Sequence, residues 1–143
     1  MEIVKQMKVP AEFLYETIIK SVLADIEAQT DKKLTIKQLK GFEYTKTFSK
    51  HSHATIKIEE AMENESYQYR TTNNKNDFLV SYQIRSIDSE NCELHYHEKM
   101  ESFGFMQSMN DTLIGIVWSP MKKKRFKQML QLIEEDYAKK IAG

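Results

Sequence analysis

The stretch CELHYHEKM, residues 92–100, places His95 and His97 two positions apart and the only cysteine of the chain, Cys92, just ahead of them. Two histidines at i and i+2 can point at one cation, and a nearby carboxylate would supply a third ligand of the kind zinc accepts. Against a metal centre, the sequence holds no HExxH and no spaced Cys/His cluster, and His51 and His53 fall in or beside a turn. The pair therefore reads as two solvated strand histidines, with no metal or cofactor expected. Cys92 has no base beside it in the sequence and reads as a small apolar residue of the core.

A second set of chemistry-bearing residues is Lys46, Glu60 and Glu98 together with Tyr69, Tyr82 and Tyr96. Side chains on a strand alternate between faces, so parity sorts each strand into an inner and an outer set. In 92–102, Cys92, Leu94, Tyr96, Glu98 and Met100 share one parity, while His95 and His97 fall on the other with charged neighbours. The inner sets elsewhere are Phe78, Val80, Tyr82 and Ile84; Ile56, Ile58, Glu60 and Met62; and Phe42, Tyr44, Lys46 and Phe48. Strand 66–72 adds Tyr67 and Tyr69. Burying an unpaired charge is costly, so three charges on apolar faces need an accommodation. Two are open. In one, Lys46, Glu60, Glu98 and the three tyrosines line a water-containing cavity that binds a small molecule. In the other, the charges sit at strand ends and reach solvent at the rim of the sheet, as lysine does readily.

KKKRFK, residues 122–127, is the densest charge cluster. If a helix starts at Pro120, these cations lie at the positive end of its dipole, where an anion or an acidic partner would relieve them. If the helix starts earlier, they are a solvated face balanced by the acidic residues downstream. With 21 basic and 21 acidic residues the chain has no net charge, so no global field draws it to nucleic acid.

The elements that position these residues follow from periodicity. Ile3, Met7 and Val9 suit a strand over 2–9. Pro10 then opens a helix predicted over 10–28, in which Leu14, Ile18, Val22 and Ile26 recur every fourth residue. TDKKLTIKQLKG is polar and reads as a loop with a helical turn that Gly41 closes. From 42 the period becomes two, and five strands (42–48, 54–63, 66–72, 77–87 and 92–102) joined by short Asn-, Ser- and Asp-rich turns predict an antiparallel meander. Residues 103–118 are apolar and read as helix or loop. Beyond Pro120, Phe126, Leu130, Ile133, Tyr137 and Ile141 mark a long amphipathic helix.

At 143 residues one core is the natural expectation, so 1–143 reads as a single α+β domain in which a bent antiparallel sheet wraps around the final helix. No apolar run approaches the roughly 20 residues that a bilayer-crossing helix needs. The start, MEIVKQMKVP, carries charge where a signal peptide has its apolar stretch. A cytoplasmic protein without membrane insertion is expected.

The order of elements, the strand-to-helix opening MKVPAEFLYETI and the closing amphipathic helix resemble the START-like, or polyketide-cyclase-like, superfamily with its helix-grip fold, and within it a small group of uncharacterised bacterial proteins. The resemblance implies a cavity between the sheet and the C-terminal helix, where relatives bind lipids, hormones or other apolar molecules. It departs from the pattern at 103–118, where a strand before the last helix is common in the superfamily. The leading functional reading is a non-catalytic module whose cavity takes a hydrophobic or amphipathic small molecule. The alternatives are a cyclase- or hydrolase-like enzyme using a cavity Glu or Tyr as acid or base, and an interaction protein with a filled core. In the last reading the segment 103–121 makes a homodimer or binds a partner; Met100, Met106, Met109 and Met121, with Phe103, Phe105 and Trp118, read as a mobile lid over the cavity, as a dimer contact or as filler in an irregular core.

Overall fold

A computed structural model describes residues 1–50, 52–74, 76–102 and 120–143. The elements are strand β1 (Glu2–Met7), helix α1 (Ala11–Thr30), a 3-10 turn (Ile36–Gln38), strands β2 (Glu43–Ser49), β3 (Ser52–Met62), β4 (Ser66–Thr72), β5 (Asn76–Ser86) and β6 (Cys92–Ser102), and helix α2 (Pro120–Ala142). The expectations for 103–118, including Met106, Met109 and Trp118, lie outside the described residues.

Extended Pro10 (φ −63°, ψ 151°) precedes α1, whose Leu14, Tyr15, Ile18, Ile19 and Ile26 are buried. The helix runs two residues past the predicted end. Thr30 donates its hydroxyl proton to the Ile26 carbonyl at 2.7 Å, and Asp31, in the left-handed region at φ 62°, closes the helix by donating its N–H to the Glu27 carbonyl at 2.8 Å. The segment read as a loop with a helical turn contains the 3-10 turn, capped reciprocally by Thr35 and Gln38, and it buries Leu39 completely. Gly41 follows at φ 85°, a conformation that a side chain disfavours.

The strands form one curved antiparallel sheet in the order β1-β6-β5-β4-β3-β2. Consecutive strands β2 to β6 make the predicted meander, and β1 adds to its far side by pairing with β6, Ile3 opposite Tyr96 and Met7 opposite Cys92. The register builds rows across the inner face. One runs Ile58, Tyr69, Val80 and Glu98; the next runs Ala61, Tyr67, Tyr82, Tyr96 and Ile3. Ile58, Val80, Leu94 and Tyr96 from these strands join Leu14 and Ile19 of α1 and Leu130 of α2 in the buried core. Of the predicted C-terminal stripe, Leu130 and Ile133 are buried and Phe126 and Tyr137 pack against the core, whereas Ile141 is exposed.

Three parity assignments, Glu60, Met62 and Phe48, need correction. The ladder between β3 and β4 shifts between Ile58 and Glu60, so that Glu60 pairs with Gln68 and Ala61 with Tyr67. This bulge adds a residue to β3 and exchanges its faces, because the side-chain period is two. Ala61 takes the inner place, Glu60 leaves it, and Met62 is exposed. Phe48, also expected inside, is exposed near the end of β2, where the ladder with β3 shifts between Thr47 and Ser49.

Candidate functional site

A cavity of about 310 Å³ opens between α1 and the sheet. Helix α1 contributes Ile18, Ser21, Val22 and Asp25, whose spacing of i, i+3, i+4 and i+7 sets them on one face. The sheet contributes Tyr44, Lys46, Ile56, Tyr67, Tyr69 and Tyr82. Tyr67 and Tyr69 share a face of β4, with ring centroids 5.6 Å apart, and Tyr67 lies 6.0 Å from Tyr82. The cavity therefore lies against α1, not between the sheet and the C-terminal helix as the resemblance implied. Helix α2 reaches only its rear wall, where Phe126 stands 6.4 Å from Tyr82.

Asp25 organises the polar end of this cavity. Lys46 Nζ stands 2.9 Å from Asp25 Oδ1, and the Tyr44 hydroxyl donates to Asp25 Oδ2 at 2.7 Å. Burial, then the hydrogen bond to Asp25, drives the Tyr44 phenol well above its ordinary range. Burial also raises Tyr67 and Tyr82, and it pushes Tyr69 up to about 12, with the Glu98 carboxylate adding to the effect. All four are neutral hydroxyls at pH 7. Only Tyr44 has a hydrogen-bond partner among the described residues, which leaves the other three hydroxyls to whatever fills the cavity.

Behind Tyr82 lies a second polar group. The Tyr82 and Tyr96 rings meet edge to face at 4.9 Å, and Phe126 covers Tyr96 at 4.1 Å. The Tyr96 hydroxyl donates to Glu98 Oε1, and Lys122 Nζ of α2 stands 3.0 Å from the same oxygen and 5.0 Å above the Phe78 ring. Glu98 is 1% exposed, and its Oε2 is buried with no hydrogen-bond partner among the described residues. The basic run is thus not one surface. Lys122 and Phe126, one turn apart, face the sheet, while Lys123, Lys124 and Lys127 border an open groove along Ile3 and Val4 of β1.

Of the residues singled out in the sequence, Lys46, Tyr69 and Tyr82 line the cavity, and Tyr96 and Glu98 stand behind its wall. Glu60 does neither: the bulge turns it toward Lys40, whose Nζ is 3.5 Å from Glu60 Oε1. His95 and His97 lie together on the outer face, His95 Nε2 being 3.4 Å from Glu2 Oε1. Among the described residues no three His, Cys, Asp or Glu side chains converge as metal ligands. Cys92 is fully buried, and burial pushes its thiol up to about 11. Asp25 escaped the sequence reading; Tyr44 and Tyr67 were placed on inner faces but not among the site residues, and Lys122 was read only as part of the basic run. The available signal for Asp25 was a carboxylate seven residues after Ile18 and three after Val22, beside the apolar stripe of α1.

A curved antiparallel sheet closed on α1 and on a long C-terminal helix makes this a helix-grip protein. The family model for the Domain of unknown function (DUF3284) matches residues 1–119, and the chain belongs to that family. None of the curated proteins matches the sequence. Among solved structures, the chain is similar to norcoclaurine synthase from Thalictrum flavum, solved in complex with dopamine and hydroxybenzaldehyde. The TM-score is 0.60 and the identity 6%, over 97% of this chain and 86% of that one. A protein from Mesorhizobium loti aligns with a TM-score of 0.56 and 13% identity over 95% of this chain and 98% of its own. A conserved protein from Geobacillus kaustophilus gives 0.54 and 13%, covering 94% of each chain. At these identities the likeness is one of fold. Among the described residues no helix is long and apolar enough to cross a membrane.

Proposed function

We propose that this chain binds a small amphipathic molecule, with an aromatic or aliphatic body, in the cavity between α1 and the sheet. The observation that carries the reading is the set of three tyrosine hydroxyls, Tyr67, Tyr69 and Tyr82, without hydrogen-bond partners among the described residues, in a wall that also holds the apolar Ile18, Val22 and Ile56 and the polar Ser21, Asp25, Tyr44 and Lys46. Binding sites combine mainly apolar walls with a few convergent polar groups, and about 310 Å³ stands at the small end of the usual range of roughly 300–1,000 Å³. A compact ring system fits that space better than a long acyl chain. The walls supply affinity, the hydroxyls orient a polar substituent, and the Asp25–Lys46 pair offers either sign of charge at the polar end. That norcoclaurine synthase, of the same fold, was solved with two small aromatic molecules supports the reading.

The test is native mass spectrometry of the full chain purified from cells, followed by the Val22→Trp variant, which fills the cavity from α1. A co-purifying small molecule that the folded variant no longer holds is the expected result. A wild-type protein that carries nothing and binds no member of an aromatic library overturns the reading.

One observation favours a second reading, acid–base catalysis on the bound molecule. Glu98 is a buried carboxylate with one unpartnered oxygen, joined to the cavity wall through Tyr96 and Tyr82. If catalysis is the function, Glu98→Gln abolishes turnover and leaves the bound molecule in place.

A further inference from the structure

The two flanks of α1 are chemically different. Ile18, Ser21, Val22 and Asp25 face the cavity described above. Glu12, Tyr15, Glu16, Ile19 and Leu23 form a neighbouring stripe, offset around the helix, and this stripe walls a separate recess of about 300 Å³. Ile36 of the 3-10 turn and the β3–β4 turn, with Glu63 and Asn64, complete that recess. Its floor is apolar: Ile19 is buried, and Leu23 and Ile36 are half-buried against the core. Its rim is acidic. Glu12, Glu16 and Glu63 are exposed around it, against one ammonium, that of Lys20. Among the described residues Lys20 is engaged only by Glu16 of its own helix, at 3.0 Å, with both side chains more than half exposed, an arrangement that solvent screens heavily.

An acidic rim alone would mean little. Tyr15 supplies an independent observation. It lines the recess, is 1% exposed, and its hydroxyl is buried with no hydrogen-bond partner among the described residues. A buried hydroxyl without a partner is uncommon in folded proteins and calls for an explanation. Burial pushes this phenol up to about 12, and the carboxylates of Glu63 and Glu60 add to the shift, so at neutral pH the group is an intact hydroxyl near negative charge.

We infer that this recess is a second binding site, for a small organic ammonium ion with an apolar body. The apolar part sits on Ile19, Leu23 and Ile36, the ammonium lies among Glu12, Glu16 and Glu63, and one of its N–H groups donates to the Tyr15 hydroxyl oxygen, which a shift of the Tyr15 side chain brings out of its buried place. The rim carboxylates do not converge as metal ligands, which directs the site to an organic cation and away from a bare metal ion. The site is independent of the cavity on the other flank of α1.

The experiment is a methyl-detected NMR titration of the full chain, with labelled Ile and Leu, using cyclohexylammonium chloride as probe and cyclohexanol and cyclohexanecarboxylate as its neutral and anionic counterparts. The ammonium is expected to shift Ile19, Leu23 and Ile36 saturably, cyclohexanol to bind about tenfold more weakly, and the carboxylate not to bind. Glu63→Gln and Glu12→Gln, both on the exposed rim, should each weaken the ammonium about two- to fivefold, the range that one exposed charge pair supplies. Tyr15→Phe should weaken it by about fivefold with an unchanged or raised Tm, since the removed hydroxyl has no internal partner to lose. Val22→Trp, which fills the other cavity, should leave this titration unchanged. Equal affinity for cyclohexanol, saturable shifts confined to Ile18 and Ile56, no saturable shift, or an ammonium affinity indifferent to Tyr15→Phe would each overturn the inference.

Discussion

Lys122 and Glu98 form an ion pair whose two members differ sharply in exposure, and that difference predicts an asymmetry between the single variants. The Glu98 side chain is 2% exposed and that of Lys122 37%. Removing the cation strands a carboxylate that cannot reach water, whereas removing the carboxylate leaves a lysine able to swing into solvent. Breaking a fully buried pair from one side costs about 3–5 kcal/mol. Water already reaches Lys122, so Lys122→Met should fall below that range, at about 2 kcal/mol, or about 4–8 °C in Tm for a chain of this size. Glu98→Gln keeps an acceptor for the Tyr96 hydroxyl and should cost about 1 kcal/mol or less. The double variant contains neither charge, so it should resemble Glu98→Gln and recover most of what Lys122→Met loses. Urea unfolding at pH 7, with the four proteins sharing one m-value, measures the cycle. A Lys122→Met cost no larger than that of Glu98→Gln, or two costs that simply add, would refute the claim that α2 is held down through a desolvated carboxylate.

Two further predictions concern pH. Burial raises the Cys92 thiol to about 11 and the Tyr15 and Tyr69 phenols to about 12, so the unfolded chain ionises these groups first; their contribution is whole below about pH 9 and fades as pH rises through the folded values. Urea midpoints should fall between about pH 9 and 11, less steeply in Tyr69→Phe, and a flat profile would contradict the burial of these groups. Glu134 of α2 behaves oppositely: burial works to raise its carboxyl, but the Lys8 backbone N–H and the Lys5 ammonium, each at 2.9 Å, outweigh burial and hold it below its ordinary value. Glu134→Gln should cost about 1–2 kcal/mol at pH 7, and the gap to wild type should close as pH falls through the folded value of Glu134, below its ordinary 4.5.

Periodicity made most of the architecture readable because each element buries one face against a single core. The α1 stripe, the meander and the Phe126–Tyr137 stripe of α2 are direct consequences of that demand, and their ends differ from prediction by a residue or two where capping decides. Asp31, which closes α1 in a left-handed conformation, is an example. The pairing of β1 with β6 carries no local signal, since it depends on which edge of the sheet is free once the meander has formed. Leu39 was equally hidden. The three apolar residues of its segment, Leu34, Ile36 and Leu39, follow no regular period, and only the tertiary fold shows that Leu39 is the one fully buried.

The polar residues on the inner face divide along the same line. Parity placed Lys46 and Glu98 inward, and both are there because their strands keep an unbroken alternation up to those positions. Glu60 follows one added residue in β3, and a bulge of one residue is invisible to a rule whose period is two. Neither accommodation open at the outset then describes the outcome by itself. Lys46 is half-buried beside Asp25, Glu98 is enclosed under Lys122, and Glu60 is turned away toward Lys40. In the two retained cases the compensating charge comes from a helix, Asp25 from α1 and Lys122 from α2. Strand-by-strand reading could identify each charge that needed a partner, but the partners lie on elements brought alongside only by the fold. A carboxylate beside the apolar stripe of α1 and a lysine one turn from Phe126 were the two places in the sequence where those partners could have been sought.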